Sequence, residues 1–324
     1  MVPLLSGKMV MVPFHSTRAF RFSFLVLATA LTVVAASQIA EGQNPGRFKP
    51  QTLPLTSFYD TPQPLPPGKP GELIRSEPAE NYRLPYELTV FRILYHSRTA
   101  NGEDVPASGV VLVPDGKPPA GGWPVVAWAH EFQGADRQNA LSLMKNLGAG
   151  PVLSMYASLG YAVVATDYAG LGARGQAVQD MQSNALDVIY AVAAARAAVP
   201  QIGGKWIAVG SGQGALAAIG VAQSTARDPG FQGSVAGAGL GAAAGGAGLK
   251  PTQAPLLVIS SQVDPAAEKI VDRMCKLGDR VLFLRYGDED ASGAMGNSVG
   301  DQLSWIKARL DGHSAPGNCP QATH

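Results

Sequence analysis

The sequence predicts an α/β protein, a mostly parallel sheet with helices on both faces. Three observations carry that expectation. Trp123-Pro124-Val125-Val126-Ala127-Trp128-Ala129 is a continuous apolar run, as a strand covered on both sides requires. From there, strand-like and helix-like runs alternate towards the end of the chain. Finally, Trp206-Ile207-Ala208-Val209, the turn Gly210-Ser211-Gly212-Gln213-Gly214 and the helix-forming Ala215-Leu216-Ala217-Ala218 set strand, tight turn and helix in immediate succession.

With 324 residues, 46% hydrophobic and 15% charged, the chain can bury one substantial core. The formal net charge is +1, and no Lys/Arg cluster occurs beyond the N-terminal segment. An electrostatic footprint for nucleic acid is therefore not expected. Nothing in the pattern asks for a cofactor or a metal.

Residues 1–37 read as a signal peptide. Arg18 and Arg21 precede the apolar run Phe24–Ala36, and small residues close it, with Ala36 or Ser37 as the last residue removed. The run is shorter than the roughly 20 apolar residues of a spanning helix, so no transmembrane helix is expected after cleavage. Met9 and Met11 are further candidate starts. Residues 38–84 are polar and proline-rich and read as a linker or surface arm without chemistry.

Order is expected from about Pro85. Leu88–Tyr95 alternates like a half-buried strand and, with Ser108–Val113, forms an edge hairpin. Strand 123–129 follows, then a short helix at 152–157 and a strand at Tyr161–Asp167. A long helix is predicted from about Ala177 to Ala198, where Met181, Ala185, Val188, Ile189 and Val192 recur at helical spacing and Pro200 stops it. After the elbow come a weak strand at 233–238 and a glycine/alanine stretch ending near Gly248. With so little side chain to bury, that stretch reads as a flexible loop. Strand 254–260 leads to Asp264, helix 266–277 to strand 280–286, and a last helix spans Val299–Leu310. The folded domain is placed at 85–313 and a tail at 314–324. Cys275 and Cys319 are the two cysteines. In an exported protein they read as one disulfide pinning that tail, against a pair of unrelated buried thiols.

Ligands in such sheets bind beyond the carboxyl ends of the strands, here the loops after Ala129, Asp167, Gly210, Ser261 and Tyr286. The turn at 210–214 has the outer glycines of a G-x-S-x-G nucleophile elbow, but Gly212 stands at its centre and serine one place early, at Ser211.

From Ser108 to Cys319 the chain resembles the α/β-hydrolases, and more narrowly the secretory lipases. The landmarks are Trp128-Ala129-His130, Thr166-Asp167-Tyr168-Ala169-Gly170-Leu171-Gly172, the 209–214 elbow, Leu257-Val258-Ile259 followed by Asp264, and Cys275 with Cys319. The resemblance implies acyl transfer by a Ser-His-Asp triad with a backbone oxyanion hole. Carried over residue by residue, the acid falls on Asp264, the nucleophile on Gly212 and the histidine on Ala291. His130, Glu131 and Gln213 fall in the oxyanion loop, where Glu131 replaces a glycine and its charge opposes a developing oxyanion if it points inward. The family's helical cap is largely missing from the interval ending at Lys250.

The resemblance thus implies an exported lipase-like homologue whose triad is incomplete and which binds a hydrophobic acyl ester, a fatty acid or a partner. Losing a triad member costs on the order of 10⁶ in turnover. The alternative is an active ester hydrolase using another constellation, Ser211 with His130.

Overall fold

A computed structural model describes residues 51–319 apart from 132, 179, 238, 241–247, 263 and 288–290, and the side chains of Ala291 and Ser292. The chain divides into Met1–Lys49, outside the described residues, and Pro50–His324. The expected signal peptide falls in the first part. Most of the glycine/alanine loop likewise lies outside the described residues.

Among the described residues, nine strands form a single mixed sheet: β1 Leu73–Pro78, β2 Thr89–Arg98, β3 Asp104–Val113, β4 Trp123–Ala129, β5 Ala162–Thr166, β6 Ile202–Ser211, β7 Phe231–Gly237, β8 Leu256–Ser261 and β9 Val281–Tyr286. Their order is β1-β2-β3-β5-β4-β6-β7-β8-β9. β1, β2 and β3 are antiparallel neighbours, β3 meets β5 antiparallel, and every pairing from β5 to β9 is parallel. The helices are α1 Gly150–Ser158, α2 Met181–Ala198, α3 Gln213–Gln223, α4 Pro265–Lys276, α5 Ala291–Asn297 and α6 Val299–Leu310.

Because successive strand residues point to opposite faces, each central strand feeds two cores. Val125, Ala127 and Ala129 join Ala185, Val188 and Val192 of α2 and Ala217, Ala218 and Val221 of α3 on one face. Val126 and Trp128 join Leu153 and Tyr156 of α1 and Trp305 and Ile306 of α6 on the other. This two-sided burial explains the unbroken apolar runs of β4 and β8.

Two expectations about order are corrected. Order begins well before Pro85. β1 pairs with β2 across Glu77 and Arg92, which form an ion pair. Phe58 and Tyr59 are buried with Leu94, Leu143 and Leu171 in a third cluster. The Tyr59 hydroxyl lies 2.8 Å from Ser142 Oγ, and burial with the Asp167 charge pushes Tyr59 up to about 12. Prolines dominate this segment's composition, but its few aromatic and aliphatic residues decide where it goes. Secondly, α2 starts at Met181 rather than Ala177, since Asp180 caps it by accepting from Gln182 N at 3.0 Å and Ser183 N at 2.8 Å.

Cys275 of α4 is disulfide-bonded to Cys319. The tail before Cys319 lies along the outer edge of β9. Asn318 N donates to Val281 O at 2.9 Å, Phe283 N donates to Asn318 Oδ1 at 2.8 Å, and Asn318 Nδ2 donates to Phe283 O at 2.8 Å. One asparagine side chain thus satisfies a stretch of edge backbone that would otherwise be open to pairing.

Candidate functional site

The 210–214 turn is a close approach of three backbone segments. A Cβ on Gly210 would lie 2.1 Å from Gly214 O, and a Cβ on Gly214 would lie 1.9 Å from Ala129 O. Both outer glycines are therefore packing requirements. Gly212 is the N-cap of α3 at φ 58° and ψ −123°, a conformation in which any residue with a Cβ is strained.

The space a side chain at 212 would enter is already filled. Its Cβ would stand 3.1 Å from Glu131 Cγ and 3.5 Å from Glu131 Cβ. Ser211 ends β6, is 7% exposed, and donates its hydroxyl to Glu131 Oε1 at 2.8 Å. Glu131 therefore reaches across the elbow to Ser211 while itself remaining exposed to solvent.

Both ring nitrogens of His130 face backbone carbonyls. Its Nδ1 lies 2.5 Å from the carbonyl oxygen of Glu131, its Nε2 lies 3.4 Å from that of Asp167, and its ring sits 4.5 Å from that of Tyr168. Tyr168 returns its hydroxyl to His130 O at 3.1 Å. Burial is the main influence on His130 and pushes its pKa down, favouring the neutral ring. Asp167, fully buried, accepts from Ser108 Oγ at 2.6 Å, Ser142 Oγ at 2.5 Å and Ser142 N at 2.7 Å, while burial raises its pKa. It ties β3 and the 141–143 turn to the end of β5.

Asp264 is engaged locally. Its Oδ1 accepts from Ala266 N at 3.0 Å and Ala267 N at 3.1 Å, capping α4. Ala291 opens α5. Gln213 opens α3, on the far side of the turn from Ser211.

Ser211 and Glu131 form part of the wall of a cavity of about 320 Å³, whose other walls include Trp128, Leu141, Met155, Tyr156 and Met295. Asp264 is not among its described lining residues. Trp128 Nε1 is buried without a hydrogen-bond partner among the described residues. Gln302 holds the α5 wall in place, donating from Nε2 to Met295 O at 2.9 Å and to Ser298 Oγ at 2.8 Å. The sequence reading missed α5, because Ala-Ser-Gly-Ala-Met-Gly-Asn carries two glycines and little helical signal. The cavity itself had no linear signature, since its walls come from β4, β6, the 141–143 turn, α1 and α5.

Among the described residues, no group of three or more His, Cys, Asp or Glu side chains could hold a metal ion. No described helix is long and apolar enough to cross a membrane.

No protein-family model matches the chain, and no curated protein matches it in sequence. Solved structures do match. The closed state of Candida antarctica lipase A superposes with a TM-score of 0.64 at 13% identity, covering 83% of this chain and 89% of that one. The rice-cell-wall-degrading esterase LipA of Xanthomonas oryzae superposes with a TM-score of 0.56 at 17% identity, covering 75% of this chain and 97% of that one. With strand order, elbow and neighbours in agreement, the chain has the α/β-hydrolase fold.

Proposed function

We propose that this chain is an exported lipase-like homologue that binds an uncharged acyl ester beside Ser211 without hydrolysing it. The observation that carries this reading is the Glu131 side chain. It crowds the space above Gly212 and accepts a hydrogen bond from the Ser211 hydroxyl. In a working elbow that space belongs to the nucleophile, and the donors around it face a developing oxyanion. A carboxylate there opposes the charge that hydrolysis creates. Gly212 at the nucleophile position and Ala291 at the histidine position belong to the same reading, and so does Asp264, kept as the acid position but turned to cap α4.

The apolar cavity supports retention of binding. Its volume suits an acyl chain, and most of its walls are aromatic and aliphatic side chains. Export rests on the N-terminal pattern together with the Cys275–Cys319 disulfide, which an oxidising compartment favours. N-terminal sequencing of protein recovered outside the cytoplasm tests it, with a mature start after residue 36 or 37 as the expected result.

Calorimetric titration with a medium-chain methyl ester tests the binding. Saturable binding with no product released supports the reading, and absence of binding sinks it. The competing reading, an active hydrolase using Ser211 with His130, has one observation in its favour, namely that Ser211 and His130 both line the cavity. Ester turnover lost on Ser211→Ala would establish it.

A further inference from the structure

At the opposite end of the sheet, the amino ends of β7, β8 and β9 and the end of α6 enclose a groove of about 490 Å³. Arg227, Arg280, Arg309 and His313 line it, together with Phe231 and Thr252, and no carboxylate is among its described lining residues. None of the three arginines makes an ion pair among the described residues. Arg227 lies over the Phe231 ring at 5.5 Å, and Arg280 donates to Ala315 O at 3.3 Å.

Arg309 is the least expected member. It is only 3% exposed, and its Nη2 donates to Ser314 O at 2.9 Å, but its Nε and Nη1 are buried with no hydrogen-bond partner. Burial pushes its pKa down first, and the charge of Arg280 does so second, as two guanidiniums sharing a groove require. Burial likewise lowers Arg227. The nearby carboxyl of Asp279 is buried; its Oδ1 accepts from Thr252 N at 2.6 Å, its Oδ2 has no hydrogen-bond partner among the described residues, and it makes no ion pair with the arginines there. Like charges with unmet donors are costly to gather unless an anion joins them. Guanidiniums present planar forks that match tetrahedral oxyanions.

We infer that this groove is a binding site for a phosphate or sulfate monoester, with Arg280 and Arg227 holding the oxyanion, Arg309 lending its charge from behind them and Phe231 bordering the organic body. The volume exceeds what an inorganic ion fills, leaving room for a sugar-sized group. The site is separate from the Ser211 cavity and does not depend on the reading given for it.

The test is isothermal titration of the full mature chain with inorganic phosphate, inorganic sulfate, glucose 6-phosphate and glucose 6-sulfate, and co-sedimentation with phosphatidic-acid vesicles. The expected result is saturable binding of at least one ester, tighter than either inorganic ion and weakened by added salt. Arg280→Gln and Arg227→Gln, both outside the core, should each weaken it by about tenfold. Vesicle binding that is lost in the same two variants assigns the oxyanion to a lipid headgroup; binding of soluble esters alone assigns it to a free metabolite. No binding by any probe, or binding that Arg280→Gln, Arg227→Gln and Arg309→Gln all leave unchanged in folded protein, overturns the inference.

Discussion

The hydroxyl of Ser211 donates to the carboxylate of Glu131 at 2.8 Å, and the same glutamate packs against Gly212. That contact joins the end of β6 to the loop after β4. It sets both the chemistry and the ligand preference expected of the cavity.

A carboxylate at the cavity wall discriminates against anionic ligands. A methyl ester should bind more tightly than the fatty acid of the same chain length, since two like charges at close range repel even beside solvent. Glu131→Gln keeps the shape and removes the charge, so it should narrow that gap. Paired calorimetric titrations of both ligands on both proteins measure it. An unchanged ratio would show that the polar end of the ligand lies elsewhere.

Gly212 should be the least replaceable residue of the turn that does not pack against backbone. Gly212→Ala places a Cβ in a strained conformation and within 3.1 Å of Glu131 Cγ. The expected loss is about 1–3 kcal/mol in denaturant unfolding. Pairing it with Glu131→Ala should recover the part due to crowding and leave the backbone part.

Asp187 predicts a pH dependence. Burial lifts its pKa to about 7, against acceptance of hydrogen bonds from Ser97 Oγ and from Ala169 N at 2.9 Å. A carboxyl raised in the folded state binds its proton more tightly there than in the unfolded chain. Its stabilising contribution is thus complete below about pH 4 and is lost as pH rises towards 7. The slope approaches ~1.4 kcal/mol per pH unit within that window. Asp187→Asn, with Ser97 reversing its hydroxyl to accept, should flatten the Asp187 part of the slope, as read from urea midpoints between pH 4 and pH 8.

The Cys275–Cys319 bridge closes a separation of 44 residues. Reduction should cost about 4 kcal/mol by restriction of the unfolded chain. It should also loosen the Asn318 contacts along β9. Unfolding with and without reductant gives the first quantity, and amide exchange at Phe283 gives the second.

How much of this was legible in the sequence depends on the range of the interaction. The parallel strands, α2 and the glycine-flanked turn were readable because periodicity and Gly210 and Gly214 record local demands. β1 was not, because Leu73-Ile74-Arg75-Ser76-Glu77-Pro78 is a polar edge segment whose pairing partner, β2, supplies the order. The reach of Glu131 across the elbow was equally hidden. Its partner there is Ser211, 80 residues away. The cavity depends on Leu141, Met155 and Met295 meeting across three segments, which no single window of sequence contains.

The central claim is that the elbow has lost triad hydrolysis. It is tested most directly by steady-state turnover of p-nitrophenyl butyrate by the purified mature protein, run beside Ser211→Ala. From a typical rate of about 10 per second, loss of triad function leaves roughly 10⁻⁵ per second. The account predicts a rate of that order, unchanged by Ser211→Ala. A rate near 10 per second that falls on Ser211→Ala would contradict it.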